Sequence, residues 1–278
     1  MRFLRPFWLR FRNNRAAVGG AVLLALVVLL VLIGPLVYTT DPFDMVGRPS
    51  VPPFGKHLLG TDVAGRDIFA GIIHGGQVSL LIGFMASLVA TVVGVTLGAL
   101  AGYYGGRIDD VLMRSTEFFL TIPSFVLAVV LVAIFSPTIL NITLAIAVVS
   151  WPSVARLARA EFISHRDRDY VQGCRAIGMP DREIIVMQIL PNALPPLIVV
   201  ASLMVATAIL TESGLSFLGL GDPNRVSWGY MIGVARSVLR SSWWMAAIPG
   251  TMIMLTVVAI NLVGEGLNDA LNPRLKQR

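Results

Sequence analysis

Apolar residues in this chain fall into long, nearly uncharged runs. They are Val18 to Tyr38, Val78 to Tyr103, Phe118 to Phe135, Thr138 to Ala155, Leu197 to Leu210 and Met245 to Leu267. A helix needs about 20 apolar residues to cross the roughly 30 Å hydrocarbon core of a bilayer. The pattern predicts six membrane-spanning helices, the fifth reaching length if it starts near Leu194 and ends near Thr211. Pro123 is expected to bend the third near its inner end, and Pro152 to kink the fourth, with Trp151 at interface depth.

The longest polar interval, Arg156 to Pro196, has an internal pattern of its own. Ile163, Tyr170, Cys174 and Ile177 are spaced by seven, four and three, which predicts one face of a helix. Gly178 suits a C-terminal cap, and Pro180 cannot continue the same helix. Asp181 is then expected to cap a second short helix, Arg182 to Leu190, closed by Pro191 and the pair Pro195 and Pro196. The product is a helix, a glycine elbow and a second helix at a membrane surface. Periodicity alone fits two readings equally, a loop with a partner or a solvated hairpin lying on lipid headgroups.

Composition agrees with the spans. Of 278 residues, 55% are hydrophobic and 14% charged, against roughly 25% charged in an average soluble domain. The fold class is all-α, a polytopic membrane protein. The first run exceeds a secretion-signal core and continues through Pro35 to Tyr38, so it reads as a retained span. With the N-terminus inside, sixteen of the 22 basic residues lie on inner segments, among them Arg156, Arg159, Arg166, Arg168, Arg175 and Arg182. That bias predicts both termini and the polar interval in the cytoplasm. The expected division is an amphipathic tail at 1–17, a transmembrane domain at 18–267 and an inner tail at 268–278. Within the domain, outer loops take 39–77 and 212–244, and the inner loop takes 156–193.

The net charge of +6 therefore reports topology and does not call for nucleic acid. In the N-terminal tail, Phe3, Phe7, Trp8 and Phe11 among arginines favour the lipid headgroup layer. Cys174 is the only cysteine, so no internal disulfide forms, and a small buried side chain is the expected role.

The first outer loop contains HLLGTDVAGRDIF, with His57, Gly60, Thr61, Asp62, Gly65, Arg66 and Asp67. One imidazole and two carboxylates make a poor metal site, and none is expected; Asp62, Arg66 and Asp67 are expected to pair with one another and fix the loop. On the second span, Ala86, Ala90, Gly94, Gly98 and Gly102 recur every four residues, a stripe that lets another helix approach closely, in this chain or in a second subunit. The inner segment from Tyr104 to Glu117 is assigned no chemistry. After the fifth span, ESGLSFLGLG is a candidate re-entrant piece. Its Glu212 is expected either to touch cargo or gate a cavity, or to form a buried ion pair with Arg225, Arg236 or Arg240.

Three classes of membrane protein compete. An ion-driven secondary transporter usually exposes acids within its spans, yet Glu117, Glu212 and Glu265 sit at span ends. An enzyme needs convergent groups, yet His57, His74 and His165 are split between faces. A phosphate-binding loop needs Gly-Lys before Ser or Thr, and the single Gly55-Lys56 is followed by His57. A gate driven by a separate engine fits best.

The residues carry a resemblance. RAIGMPDREIIVMQILPNALPPLIV resembles the cytoplasmic coupling loop of binding-protein-dependent ABC importer permeases, in which Glu-Ala-Ala is followed by Gly and then Leu-Pro at fixed spacing. Gly178, Leu190 and Pro191 fall in place. Gln172, Gly173 and Cys174 stand where the pattern has Glu-Ala-Ala, and Gln188 where it has Ile. Gly173 costs a helix about 1 kcal/mol against alanine. HLLGTDVAGRD, GLSFLGLG and LNPRLKQ are similar to the second membrane subunit of dipeptide and oligopeptide importers, a group that includes nickel and glutathione permeases.

The resemblance implies the type I permease fold in a bacterial inner membrane and no enzymatic activity in this chain. It implies a companion permease, two ATP-binding subunits that use ATP and magnesium, and a periplasmic or lipid-anchored solute-binding protein. No cofactor is expected on this chain. The loop of Gln172, Gly173, Cys174, Arg175, Ala176, Gly178, Arg182, Leu190 and Pro191 would dock in a cleft of the ATPase, with Arg175 and Arg182 in contact.

Overall fold

Helix α1 (Arg15–Val37) starts where the Asn14 side chain accepts the Ala17 N–H. Residues 11–271 are described in this computed structural model, so Arg2, Arg5, Arg10 and most of the two tails lie outside them. Helix α2 (Ile68–Tyr104) begins ten residues before the predicted span. Asp67 supplies the cap, its Oδ1 accepting from the Phe69 and Ala70 N–H groups at 2.7 and 3.2 Å. The polar Gln77 is accommodated by donating to the Val31 carbonyl of α1. At 37 residues α2 is about 55 Å long, well beyond the hydrocarbon core.

The third span is broken rather than bent. Helix α3 (Gly106–Thr121) and helix α4 (Ser124–Phe135) meet at 86°. Pro123 has no N–H and excludes Ile122 from helical geometry, and Ile122 is accordingly extended. The segment from Tyr104 to Glu117, expected as a plain inner loop, is therefore mostly the amphipathic α3. Among the described residues, five helices are long and apolar enough to cross a membrane, and six if α3 and α4 form one broken span.

Helix α5 (Ile139–Arg166) runs eleven residues past the predicted end at Ala155, so Trp151 lies mid-helix, edge-on to Phe119 at 5.4 Å. Helix α6 (Asp169–Ala176) follows, then a short turn at Asp181–Glu183 and a wide π turn at Ile184–Ile189. Helix α7 (Leu190–Leu215) ends in a second π turn, Ser216–Leu220. The short α8 (Trp228–Ala235) and the long α9 (Trp244–Leu271) complete the chain.

Small residues decide the packing around α2. A methyl group at Gly94 would lie 2.6 Å from the Val154 side chain, one at Gly102 would lie 2.6 Å from the Arg159 carbonyl, and one at Gly98 would clash with the Ala155 carbonyl oxygen. With Ala86 and Ala90 also buried, the stripe seats α5 of this same chain. On another face of α2, Ser87 donates to the Ala201 carbonyl of α7 at 2.8 Å. Leu26, Leu29, Leu32 and Leu36 of α1 point outward and exposed, as lipid-facing residues do.

Contacts sort the helix ends. Tyr103, near the end of α2, reaches Asp181, and Asn14, at the start of α1, donates to Asp269 of α9. The opposite end holds residues 39–67, where the Tyr38 hydroxyl donates to Asp67.

Candidate coupling site

The elbow is built by backbone hydrogen bonds. Gly178 has φ +78°, its N–H donates to the Arg175 carbonyl, and the Met179 N–H reaches back to Cys174. This six-residue closure satisfies the last carbonyls of α6 and needs a left-handed residue at Gly178. Beyond its two chain neighbours, no atom of the described residues lies within 4 Å of where a Gly178 side chain would start.

Helix α6 does not bury the predicted face. The chain breaks at Asp167, so Ile163 belongs to α5 and cannot share a helix with Tyr170 and Ile177. Aspartate is poor inside a helix but favourable in its first turn, and Asp169 starts α6 accordingly. Val171 is the buried residue of α6, Cys174 is half-buried, and Ile177 is 78% exposed at the tip. Gln172, Gly173, Arg175, Ala176, Gly178 and Arg182 are exposed around it.

Asp181 is not a cap; Pro180 holds that position. Its carboxylate accepts the Tyr103 hydroxyl at 2.5 Å, while the Arg175 guanidinium lies 5.2 Å above the Tyr103 ring. One side chain at the end of α2 thus touches both arms of the elbow. Beneath it Val171, Ile184 and Ile189 pack with Tyr103 and Phe162, and Arg166 donates to the Gly102 carbonyl. The elbow is therefore fixed to α2 and α5 while its outer surface stays free.

Pro191, Pro195 and Pro196 do not end the second arm, which runs on through α7. The π turn is the reason. The Leu190 N–H bonds the Ile185 carbonyl five residues back, and this wider turn immediately precedes the residue that lacks an N–H. Leu190 is half-buried and Pro191 exposed. Sequence reasoning missed Tyr103, and it missed the two-pronged pair in which Arg159 Nε and Nη2 donate to the Asp109 carboxylate at 2.5 and 2.6 Å.

At the opposite end, Asp62, Arg66 and Asp67 do not form ion pairs with one another. Asp62 accepts the N–H groups of Ala64 and Arg66, and Asp67 takes the Tyr38 hydroxyl and the His57 ring at 2.8 and 3.2 Å besides its capping bonds. Arg66 lies over the Phe43 ring at 5.0 Å. Gly60 and Gly65 have φ near +80°, and Thr61 donates to the Arg48 carbonyl. Short backbone reach thus satisfies the acids before any guanidinium does.

Glu212 is 1% exposed and pairs with no arginine among the described residues. Its Oε1 accepts Ser216 at 2.8 Å and Ser227 at 2.6 Å, and Oε2 faces Ser213 at 3.4 Å. Ser227 also caps α8, accepting the Tyr230 N–H, and the neighbouring Trp228, fully buried, donates from Nε1 to the Ile72 carbonyl and from its N–H to Ser79. The acid ties α7 to α8. Replacing Glu212 with glutamine keeps an acceptor for both short bonds, so the folded amount is expected to hold. Alanine strands the hydroxyls and is expected to cost about 1–3 kcal/mol, read as lost detergent-stable protein. Equal uptake of cationic and neutral cargo by Glu212→Gln at fixed expression would leave the carboxylate a structural role only.

Residues 94–277 match the family described as binding-protein-dependent transport system inner membrane component. The chain belongs to that family. Residues 2–53 match the N-terminal TM domain of oligopeptide transport permease C. The di/tripeptide transport system permease protein DppC of Pseudomonas aeruginosa is 41% identical over 98% of this chain and 93% of its own length. The dipeptide permease DppC of Haemophilus influenzae is 39% identical over 99% and 96%. A probable D,D-dipeptide permease of Escherichia coli is 39% identical over 95% and 89%. In fold, the chain matches an inward-facing MetNI methionine ABC transporter with TM-score 0.60 and 17% identity, over 73% of this chain and 96% of that one. The protein is a multi-pass inner-membrane permease component of a transport system, with the type I ABC importer fold.

Proposed function

We propose that this permease is one of two different membrane subunits of an ATP-driven importer of short peptides. Two ATP-hydrolysing subunits bind the elbow around Gly178 on the cytoplasmic side, with both chain termini on that side. A solute-binding protein delivers cargo to the opposite end. ATP closes the two hydrolysing subunits on each other, and the elbows carry that movement into the spans as rigid pieces. The peptide assignment is supported by the names of three relatives, a di/tripeptide permease, a dipeptide permease and a probable D,D-dipeptide permease.

One observation carries the coupling role. The elbow exposes Ile177 and its charged flank outward, yet its inner side is clamped by Tyr103 to α2 and by a buried apolar cluster to α5 and α7. A surface that is free outside and rigid inside can transmit force. Because Ile177 contributes little to its own fold, Ile177→Asp is expected to leave membrane levels intact. In the complete complex with its binding protein it should lower cargo-stimulated ATP hydrolysis and peptide uptake at least about tenfold, the 1.4 kcal/mol scale of one lost apolar contact. Wild-type coupling in that variant, or gradient-driven transport by the purified chain alone in liposomes, would overturn the assignment.

A further inference from the structure

Most hydroxyl side chains inside these helices bond back to their own helix. Thr96, Thr143, Thr211, Thr251 and Thr256 each donate to a carbonyl four residues earlier. Ser124, Ser150 and Ser153 have no hydrogen-bond partner among the described residues. All three line one cavity of about 340 Å³, at the break between α3 and α4. Phe119, Pro123, Met204 and Thr211 line it too, and no charged residue does. That volume is in the range of small-molecule sites, roughly 300–1,000 Å³.

A second cavity of about 550 Å³ is lined by Asp109, Asp110, Arg114, Glu117, Arg156 and Arg159. The two adjoin. Ser153 of the first and Arg156 of the second are one turn apart on α5, as are Leu120 and Glu117 on α3, so a strip runs from one to the other. A neutral, hydroxyl-bearing step midway along α5 thus leads to a charged mouth nearer the elbow end.

We infer that this strip is the wall this subunit gives to the cargo path, and that Ser124, Ser150 and Ser153 hold a peptide by its main chain. Free hydroxyls donate to and accept from amide groups, which every peptide has, while the lack of charge leaves cargo side chains unread. The inference rests on the peptide-importer reading above.

The test uses the complete importer in proteoliposomes, with binding protein saturated by Ala-Ala, Ala-Lys or Ala-Glu. Wild-type chain should take up all three, and failure there would refute the peptide reading itself. Ser150→Ala with Ser153→Ala should slow uptake of all three at least about fivefold. Ser153→Asp should separate them, with Ala-Lys favoured over Ala-Glu by about tenfold or more. If wild type transports and Ser153→Asp treats Ala-Lys and Ala-Glu alike, the strip is not a cargo wall. If the variants instead prevent the two permeases from assembling, the strip is a subunit contact and the inference is equally overturned.

Discussion

Gly178→Val is expected to leave the protein in the membrane at near-normal amounts and to abolish coupled transport. The residue sits at φ +78° with nothing within 4 Å of a new side chain, so the change meets no clash within the chain. It meets backbone strain of about 1–2 kcal/mol, worse for a β-branched residue. That strain falls on the closure between Cys174 and Met179, which sets the angle between the two arms. Cargo-stimulated ATP hydrolysis and uptake in the reconstituted complex should fall at least tenfold. Gly178→Asn separates the two possible causes, because asparagine tolerates the left-handed region but still adds bulk outward. Recovery with asparagine assigns the effect to the turn; continued loss assigns it to the clearance a partner needs. Full coupling in Gly178→Val with a normal ATPase would remove the elbow from the mechanism.

The second large effect concerns stability. Gly98→Leu is expected to eliminate the folded protein, because its Cβ would collide with the Ala155 carbonyl oxygen and a backbone cannot rotate away as a side chain can. Helices α2 and α5 would have to separate along their whole contact, and lipid offers no hydrophobic drive to compensate. Even Gly98→Ala should cost about 1–3 kcal/mol, the usual scale of overpacking. Gly250→Ala in α9 is the control, with nothing within 4 Å and a better helix former installed. Detergent-stable protein at matched synthesis should be near zero for Gly98→Leu and unchanged for Gly250→Ala. Survival of Gly98→Leu at wild-type levels would mean that the α2–α5 contact is dispensable.

Much of the architecture was legible because lipid imposes length and apolarity on each span, and the stripe from Ala86 to Gly102 advertises close packing. Element ends were less legible. Helix α2 begins early because Asp67 caps it, and α5 runs on because Arg159 and Arg166 find partners in Asp109 and the Gly102 carbonyl rather than water alone. Pro123 and Pro191 look alike in sequence and act oppositely, one breaking a helix and the other following a widened turn. The elbow glycine could be read from local rules. Its clamp could not, since Tyr103 and Asp181 are 78 positions apart. Glu212 misled for a related reason: opposite charge is easy to look for, whereas serines are too common in sequence to announce a cage.

The helical stretch from Asp181 to Leu220, interrupted at Gly219 next to its end, is 40 residues long, or about 60 Å at 1.5 Å per residue. It starts in the elbow and finishes against the serine-bound acid at the far mouth, with no loop between. In an importer working as proposed, the two mouths are then opposite ends of one seesaw, and what tilts the lower end must tip the upper. A leak, with both mouths open together, would require that beam to snap.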